Sequence, residues 1–218
     1  MKKSILLFAT SLFFIGSSVG QNPGETVSDN DGNTYHTVVI GEQTWFVENL
    51  ETTKLSDGTP IELVENESQW STSRNAYCWY NNDTANGRTY GALYTWATVN
   101  SKKLCPTGWH VATYKEWKAL IEKLGGEAKA GQVLKEKGAI HWNEDNNGNN
   151  KSGFTALPGG ERKDDGAFFG LKTGGKFWTG SEHDDESAFY FQVSCTNTNA
   201  VGGWVKKAYG LSVRCVKD

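Results

Sequence analysis

The stretch LCPTGWHVATYKEW, residues 104–117, contains the residue types of a reactive site. Cys105 and His110 could act as a nucleophile and its base, which requires a lowered thiol pKa and a hydrogen bond between the two groups. Two arguments oppose this reading. If residues 109–112 form a strand, Cys105 and His110, which are five residues apart, face opposite sides along most of that path. A cysteine of an exported protein is also expected to be oxidised. We therefore expect Cys105 to be a structural staple, His110 to be a strand residue without a partner, and the protein not to be an enzyme.

Clustered carboxylates offer a second kind of chemistry, the binding of Ca²⁺ through oxygen ligands. The run EHDDE places Glu182, Asp184, Asp185 and Glu186 where the chain turns between two predicted strands. This composition predicts a solvated turn, with a calcium site as the alternative. No other cofactor is indicated.

Aromatic side chains in polar loops are candidates for sugar binding, because their apolar rings can stack on a sugar while neighbouring polar groups bind its hydroxyls. Tryptophans within strand or helix patterns are instead expected in the core. The five loop candidates are Trp70, Trp79, Tyr80, Trp142 and Trp204. The expected core tryptophans are Trp45, Trp96, Trp109, Trp117 and Trp178.

The N-terminal segment MKKSILLFATSLFFIGSSVG has a basic start, a short apolar run and small residues at its end. These features predict a signal peptide over residues 1–20, followed by a short tether (21–26) and one domain (27–218). We therefore expect a secreted, periplasmic or cell-surface protein with no transmembrane segment in the mature chain. The formal net charge of −3 argues against a nucleic-acid partner.

The elements that would position these residues follow from periodicity and turn signals. Residues 27–50 predict a hairpin, with Gly41-Glu42 at its turn. A short helix is predicted over 92–99, because apolar residues recur there at helical spacing. Thr113 and Glu116 match a capping box that starts a helix ended by Gly125-Gly126.

Further along the chain, a second helix is predicted over 128–135 and a polar loop over 141–153. Strands are predicted over 176–182, 187–194 and 208–218. This order predicts an α+β fold with an antiparallel sheet, in which both ends of the domain lie in strands. The oligomeric state is left open.

Six segments in this order resemble the Fibrobacter succinogenes major paralogous domain, a family of secreted bacterial proteins. They are DNDGNTYHTVVIGEQTWFVENL, YGALYTWATVN, LCPTGWHVATYKEWKALI, GFTALPGGER, FWTGSE and LSVRCVKD. The resemblance implies a C-type-lectin-like fold: a small twisted antiparallel sheet, two or three helices and long loops. Other relatives in the C-type-lectin-like superfamily include sulfatase-modifying, formylglycine-generating enzymes.

Four cysteines allow three pairings. Because Cys105 and Cys215 are the two characteristic of the family, the resemblance implies a bridge between them, which leaves Cys78 with Cys195. The expected function is that of a lectin-like binding or adhesion module for a glycan or another surface macromolecule. The alternatives are an enzyme of the sulfatase-modifying type, which would need a reactive cysteine, and a purely structural surface protein.

Overall fold

The computed structural model describes residues 23–218 of the 218-residue chain. The predicted signal peptide therefore lies outside the described residues. The predicted tether extends to residue 26, but the first strand already begins at Pro23 and pairs with the next strand through Thr26 and His36. Residues 23–26 thus belong to a sheet rather than to a tether.

Strands dominate the described residues. In chain order they are β1 (Pro23–Ser28), β2 (Thr34–Ile40), β3 (Gln43–Phe46), β4 (Glu62–Leu63), β5 (Ala76–Cys78), β6 (Leu93–Thr95), β7 (Trp109–Val111), β8 (Gly159–Arg162), β9 (Phe168–Leu171), β10 (Gly174–Glu182), β11 (Ser187–Ser194), β12 (Ala200–Lys206), β13 (Gly210–Leu211) and β14 (Cys215–Lys217).

The helices are short. They are α1 (Glu67–Trp70), α2 (Thr84–Tyr90), α3 (Trp96–Asn100), α4 (Tyr114–Lys123) and α5 (Glu127–Leu134), with a 3₁₀ turn over Tyr80–Asn82. Within residues 23–218, no helix has the length and apolar character needed to cross a membrane.

The first sheet has five antiparallel strands in the order β1-β2-β3-β14-β7. Strand β14 lies between the N-terminal hairpin and β7, since Val216 pairs with both Trp45 and His110. The two ends of the domain therefore share one sheet, as the strand predictions for both ends indicated.

The second sheet has nine strands in the order β12-β11-β10-β8-β13-β6-β5-β4, with β9 paired to β8. It is mixed, because β8 pairs with β10 in parallel through Gly160 and Gly175, and β4 pairs with β5 in parallel. The α+β class is confirmed, but the expectation of one small antiparallel sheet is wrong: there are two sheets, and the larger one contains parallel pairs.

The structure contains the helix start and helix end that the sequence predicts for α4. Thr113 Oγ1 accepts a hydrogen bond from the Glu116 amide, and the Glu116 carboxylate accepts one from the Thr113 amide. This capping box starts α4, and Gly125, with φ of +100°, follows its end. The predicted hairpin (β2–β3) and second helix (α5) are likewise confirmed.

Strands β6 and β12 were not predicted from the sequence. The helix predicted over residues 92–99 begins only at Trp96, because Leu93–Thr95 form strand β6 between β13 and β5. Three buried apolar residues fit a buried strand as well as a helix face. Strand β12 was not predicted, because its Gly202-Gly203 pair weakens the strand pattern. A side chain at Gly202 would press on the rings of Phe191 and Tyr114, so close packing requires the glycine.

One core cluster surrounds Trp117, which α4 places between the two sheets. Its ring centroid lies 5.0 Å from that of Trp45, 5.5 Å from Phe154 and 5.6 Å from Phe191. Of the five tryptophans expected in the core, Trp109 is half-buried and the other four are buried. Aromatic packing of this kind supplies much of the buried area.

A buried arginine joins the core to the adjoining loops. Arg214 is fully buried, and its guanidinium stacks 4.5 Å from the Phe154 ring centroid. It donates hydrogen bonds to Asn49 Oδ1 and to the carbonyls of Phe46, Phe154 and Thr155. Burial lowers its pKa to about 9, which leaves it charged at neutral pH. The planar fork of arginine suits this role, because it satisfies several carbonyls at once.

Candidate functional site

The structure removes three of the five aromatic candidates from the surface. Trp70, Tyr80 and Trp142 are buried, so the prediction that they form binding platforms is wrong. Trp70 packs against the buried guanidinium of Arg162 at 4.5 Å, and Trp142 Nε1 donates to the Ala156 carbonyl at 3.1 Å. In each case the partner lies outside the local segment, which loop composition cannot reveal.

The two other candidates differ in exposure. Trp79 is half-buried and packs so closely on α2 that a side chain at Gly87 would overlap its ring. Trp204 on β12 is 60% exposed, and its ring stacks on that of His183 with centroids 5.1 Å apart. Trp204 is thus the candidate that keeps an accessible ring.

The turn predicted over residues 182–186 is present, and its carboxylates are not arranged as the alternative, a calcium site, requires. Asp184 uses its carboxylate locally, since Oδ1 accepts from the amides of Glu186 and Ser187, and Oδ2 contacts His183 Nδ1. A hydrogen bond from the Ser187 side chain, followed by those from the Glu186 amide, His183 and the Ser187 amide, lowers the pKa of Asp184. The Glu182 carboxylate pairs with Lys207. Within residues 23–218 no group of three His, Cys, Asp or Glu side chains is placed to hold a metal ion, so Glu182, Asp184, Asp185 and Glu186 are a turn with its own local contacts.

The cysteine predictions are half correct. Cys105 and Cys215 form a disulfide, with Cα atoms 6.0 Å apart. The predicted Cys78–Cys195 bridge is wrong, because both are free, buried thiols that lie in different hydrophobic clusters. Burial raises the pKa of Cys78 to about 12, which keeps it protonated and unreactive.

His110 has partners that the sequence did not indicate. Its Nδ1 lies 2.6 Å from Asp218 Oδ1, and its Nε2 lies 2.9 Å from Glu116 Oε1. It therefore joins β7 to the capping box of α4 and to the end of the chain. Cys105, its supposed catalytic partner, is held in the disulfide, and a sulfur in a disulfide cannot act as the thiolate nucleophile.

An open cleft of about 380 Å³ lies on the second sheet, and of the residues above, Cys195 contributes to its lining. Four side chains from four neighbouring strands form a row across its floor. Phe169 on β9 pairs in register with Glu161 on β8, and Lys176 on β10 pairs with Gln192 on β11. The parallel pairing of β8 and β10 brings Glu161 beside Lys176. Since strands lie about 4.8 Å apart, the row spans about 14 Å.

The row combines an apolar ring with hydrogen-bonding groups. Phe169 is 62% exposed, which is unusual for a phenylalanine of a sheet. The Gln192 side chain is half-buried and makes no hydrogen bond to any other described residue. Exposed Asn143 and Asp145 lie at the rim. An apolar surface with a few convergent polar groups is typical of small-ligand sites.

The centre of the row is an ion pair. Lys176 Nζ contacts Glu161 Oε2, and the two side chains are only 18% and 10% exposed. The ammonium also lies 4.8 Å from the ring centroid of Tyr190 on the same face. These contacts hold both charges in place within the cleft.

Backbone hydrogen bonds hold the walls of the cleft together. The Asn143 amide donates to the carbonyl of Lys172, and the Cys195 amide donates to that of Thr173. Lys172 and Gly170 adopt positive φ values of 63° and 84°, so the turn between β9 and β10 is a tight one. The turn is thereby fixed between the loop of Asn143 and the end of β11, which gives the cleft a preformed shape.

Sequence reasoning did not identify Phe169, Glu161, Lys176 or Gln192 as site residues. A weak signal was present in the segment GERKDDGAFFG (160–170). Adjacent phenylalanines in a strand must face opposite sides of a sheet. Phe168 packs on Arg162, so Phe169 faces the cleft.

The profile of the family described as the Fibrobacter succinogenes major domain matches residues 38–217. No curated protein and no solved structure matches the chain significantly.

Proposed function

Because the chain belongs to the Fibrobacter succinogenes major domain family, we propose that it is a secreted or surface-exposed, lectin-like binding module that captures a glycan without catalysis. The observation that carries the proposal is the row Phe169–Glu161–Lys176–Gln192 in an open cleft. The predicted signal peptide supports export, where glycans of cell surfaces and secreted polymers are the available ligands.

The chemistry of the row suits a sugar. An exposed ring such as Phe169 can take the apolar face of a pyranose, as aromatic side chains do at interfaces where one side is apolar and the other wet. Hydroxyl groups both donate and accept hydrogen bonds, which matches the mixed set of an amide, a carboxylate and an ammonium beside the ring. The length of the row fits a chain of a few sugar units.

Two variants test the site directly. Phe169→Ala removes the exposed ring. Gly174→Leu fills the cleft, because Gly174 lies on the face of Lys176 and a Cβ there would meet only carbonyl oxygens at 3.9 Å. Neither change removes a buried contact of the core, so both variants are expected to fold.

Trp204→Ala is the matched control. Trp204 is 60% exposed, close to the 62% of Phe169. It pairs with Phe189, three positions from Gln192, and therefore lies on the opposite face of the sheet. Loss of a second exposed aromatic ring should leave cleft binding unchanged.

The measurement is binding of the purified domain and the three variants to a broad panel of immobilised glycans. We expect the unmodified protein and Trp204→Ala to bind the same glycans. Phe169→Ala should bind about 30-fold more weakly, the loss associated with a central aromatic contact, and Gly174→Leu should not bind. Absence of binding to every glycan at high protein concentration would refute the proposal, as would full binding by Gly174→Leu.

A further inference from the structure

We propose that the Glu161–Lys176 pair makes the cleft selective for uncharged sugars that present two neighbouring hydroxyl groups, and that it discriminates against uronic acids. This inference rests on the proposed glycan function and specifies the ligand class of the same site. The pair retains hydrogen-bonding positions that could bind such hydroxyl groups.

Each member of the pair has bonding positions left over. Glu161 Oε2 contacts the ammonium, whereas Oε1 has no hydrogen-bond partner among residues 23–218. Lys176 Nζ has three N–H donors, of which one is used by Glu161. Glu161 is only 7% exposed. A buried carboxylate with an unused oxygen facing a cleft is costly unless a ligand or water completes its hydrogen bonds.

The open positions form a donor–acceptor couple. The ammonium donates and the carboxylate oxygen accepts, so one hydroxyl can receive from Lys176 while the next donates to Glu161. Two hydroxyls on adjacent ring carbons present this combination. Phe169 lies directly opposite Glu161 in the strand register, so a sugar stacked on the ring turns its edge toward the pair.

The charge balance at the ion pair disfavours an anion in contact with it. Among the lining residues there is one cation, Lys176, and it is already paired with Glu161. Asp145 at the rim adds a second negative charge. Lys163, two residues beyond Glu161, adds a cation whose Nζ lies 5.0 Å from the Phe169 ring centroid. At the pair itself, a ligand carboxylate would meet Glu161 and an ammonium that Glu161 already neutralises, where limited exposure reduces screening by water. A neutral hydroxyl meets no such repulsion.

Glu161→Gln is the informative variant, because it preserves shape and removes the charge that neutralises Lys176. Glu161→Gln/Lys176→Met removes both charges and avoids leaving an unpaired buried cation, which guards against a loss of folding. Thermal melting of each variant verifies that it is folded. Neutral gluco- and manno-oligosaccharides, their single-deoxy analogues and uronic-acid oligosaccharides of the same length serve as the probes in titration calorimetry.

For the unmodified protein we expect binding of neutral oligosaccharides at least about tenfold tighter than of uronic acids. Removal of the hydroxyl that meets the pair should cost a further factor of about ten or more, as for a hydrogen bond to a charged group. Glu161→Gln should lose a similar factor toward neutral sugars and gain affinity for uronic acids. The double variant should show the loss without the gain.

The outcomes separate the two proposals. If neither class of sugar binds the unmodified protein, the glycan function itself fails, and this inference fails with it. If sugars bind in the cleft but uronic acids bind as tightly as neutral ones, only the charge selectivity is refuted. Single-deoxy analogues that all bind as tightly as their parents would refute the recognition of neighbouring hydroxyls, a result that needs no variant protein.

Discussion

The disulfide between Cys105 and Cys215 should be the largest single covalent contribution to the stability of the domain. It connects the turn before β7 to the start of β14, and it closes a segment with a sequence separation of 110 residues. Both sulfur-bearing residues are buried. The double variant Cys105→Ala/Cys215→Ala removes this bridge.

The expected magnitude follows from the length of the closed segment. A bridge that closes a loop of this length restricts the unfolded chain, and the chain-entropy relation gives about 4.8 kcal/mol at about 25 °C. Domains are commonly stable by about 5–15 kcal/mol, so the loss would remove at least about a third of the free energy of unfolding. With a urea dependence of about 2 kcal/mol per molar, the unfolding midpoint should fall by about 2 M.

Urea unfolding monitored by tryptophan fluorescence measures this difference. Adding a reducing agent to the unmodified protein should produce a comparable drop, while the same agent should leave the double variant unchanged. A midpoint shift below about 0.5 M, or a double variant that responds to the reducing agent, would refute the entropic argument for this bridge.

A thiol count tests the cysteine assignment independently of stability. Cys78 and Cys195 are buried thiols, so the folded protein should react with a thiol reagent at neither position. Denaturation without reduction should expose two thiols, and reduction should expose all four cysteines. Denatured protein without reactive thiols would mean that Cys78 and Cys195 are bridged after all.

Two further predictions concern charged side chains. Burial alone lowers the pKa of His110, but its hydrogen bonds to Asp218 and Glu116 outweigh that effect and raise the pKa above 6.5. The ion pairs should therefore stabilise the fold fully below about pH 6.5 and lose their effect as the pH rises through the folded pKa. This pH-dependent stabilisation should stay below about 1 kcal/mol because the site is partly exposed. Melting curves of His110→Asn recorded at different pH values should lack it. Arg214→Met should lower the free energy of unfolding by about 4 kcal/mol, about 1 kcal/mol for each of four lost hydrogen bonds. Exposed Arg88 provides the control, because Arg88→Met should change the free energy of unfolding by less than about 0.5 kcal/mol. Equal effects of the two variants on unfolding in urea would contradict the role assigned to Arg214.

Local signals explain the parts of the fold that could be predicted. The capping box at Thr113 and Glu116 and the turn at Gly41 depend on neighbouring residues, so the sequence already contains the interacting groups. Segment 92–99 shows where this fails. Its apolar spacing fits a helix, but pairing with β13 and β5 converts Leu93–Thr95 into a strand. Tertiary pairing overrides local preference in such short apolar runs.

Exposure could not be predicted from loop composition. Trp70 and Trp142 lie beside polar residues in sequence, yet both are buried. Arg162 packs on the Trp70 ring, and Trp142 Nε1 donates to the Ala156 carbonyl. Large aromatic rings in irregular segments bury themselves wherever a distant element provides a partner. The accessible ring of the cleft, Phe169, instead comes from a strand.

By itself, the sequence determined the α+β class, the main hairpin, helices α4 and α5 and, through family resemblance, the Cys105–Cys215 pairing. Only the tertiary structure decided the candidate site. Phe169, Glu161, Lys176 and Gln192 come from four different strands, and their alignment depends on β8 pairing in parallel with β10. The physical reason is that strand register is a non-local property. A slip of one residue turns each side chain to the other face, so the chemistry of the cleft exists only after the sheet has assembled.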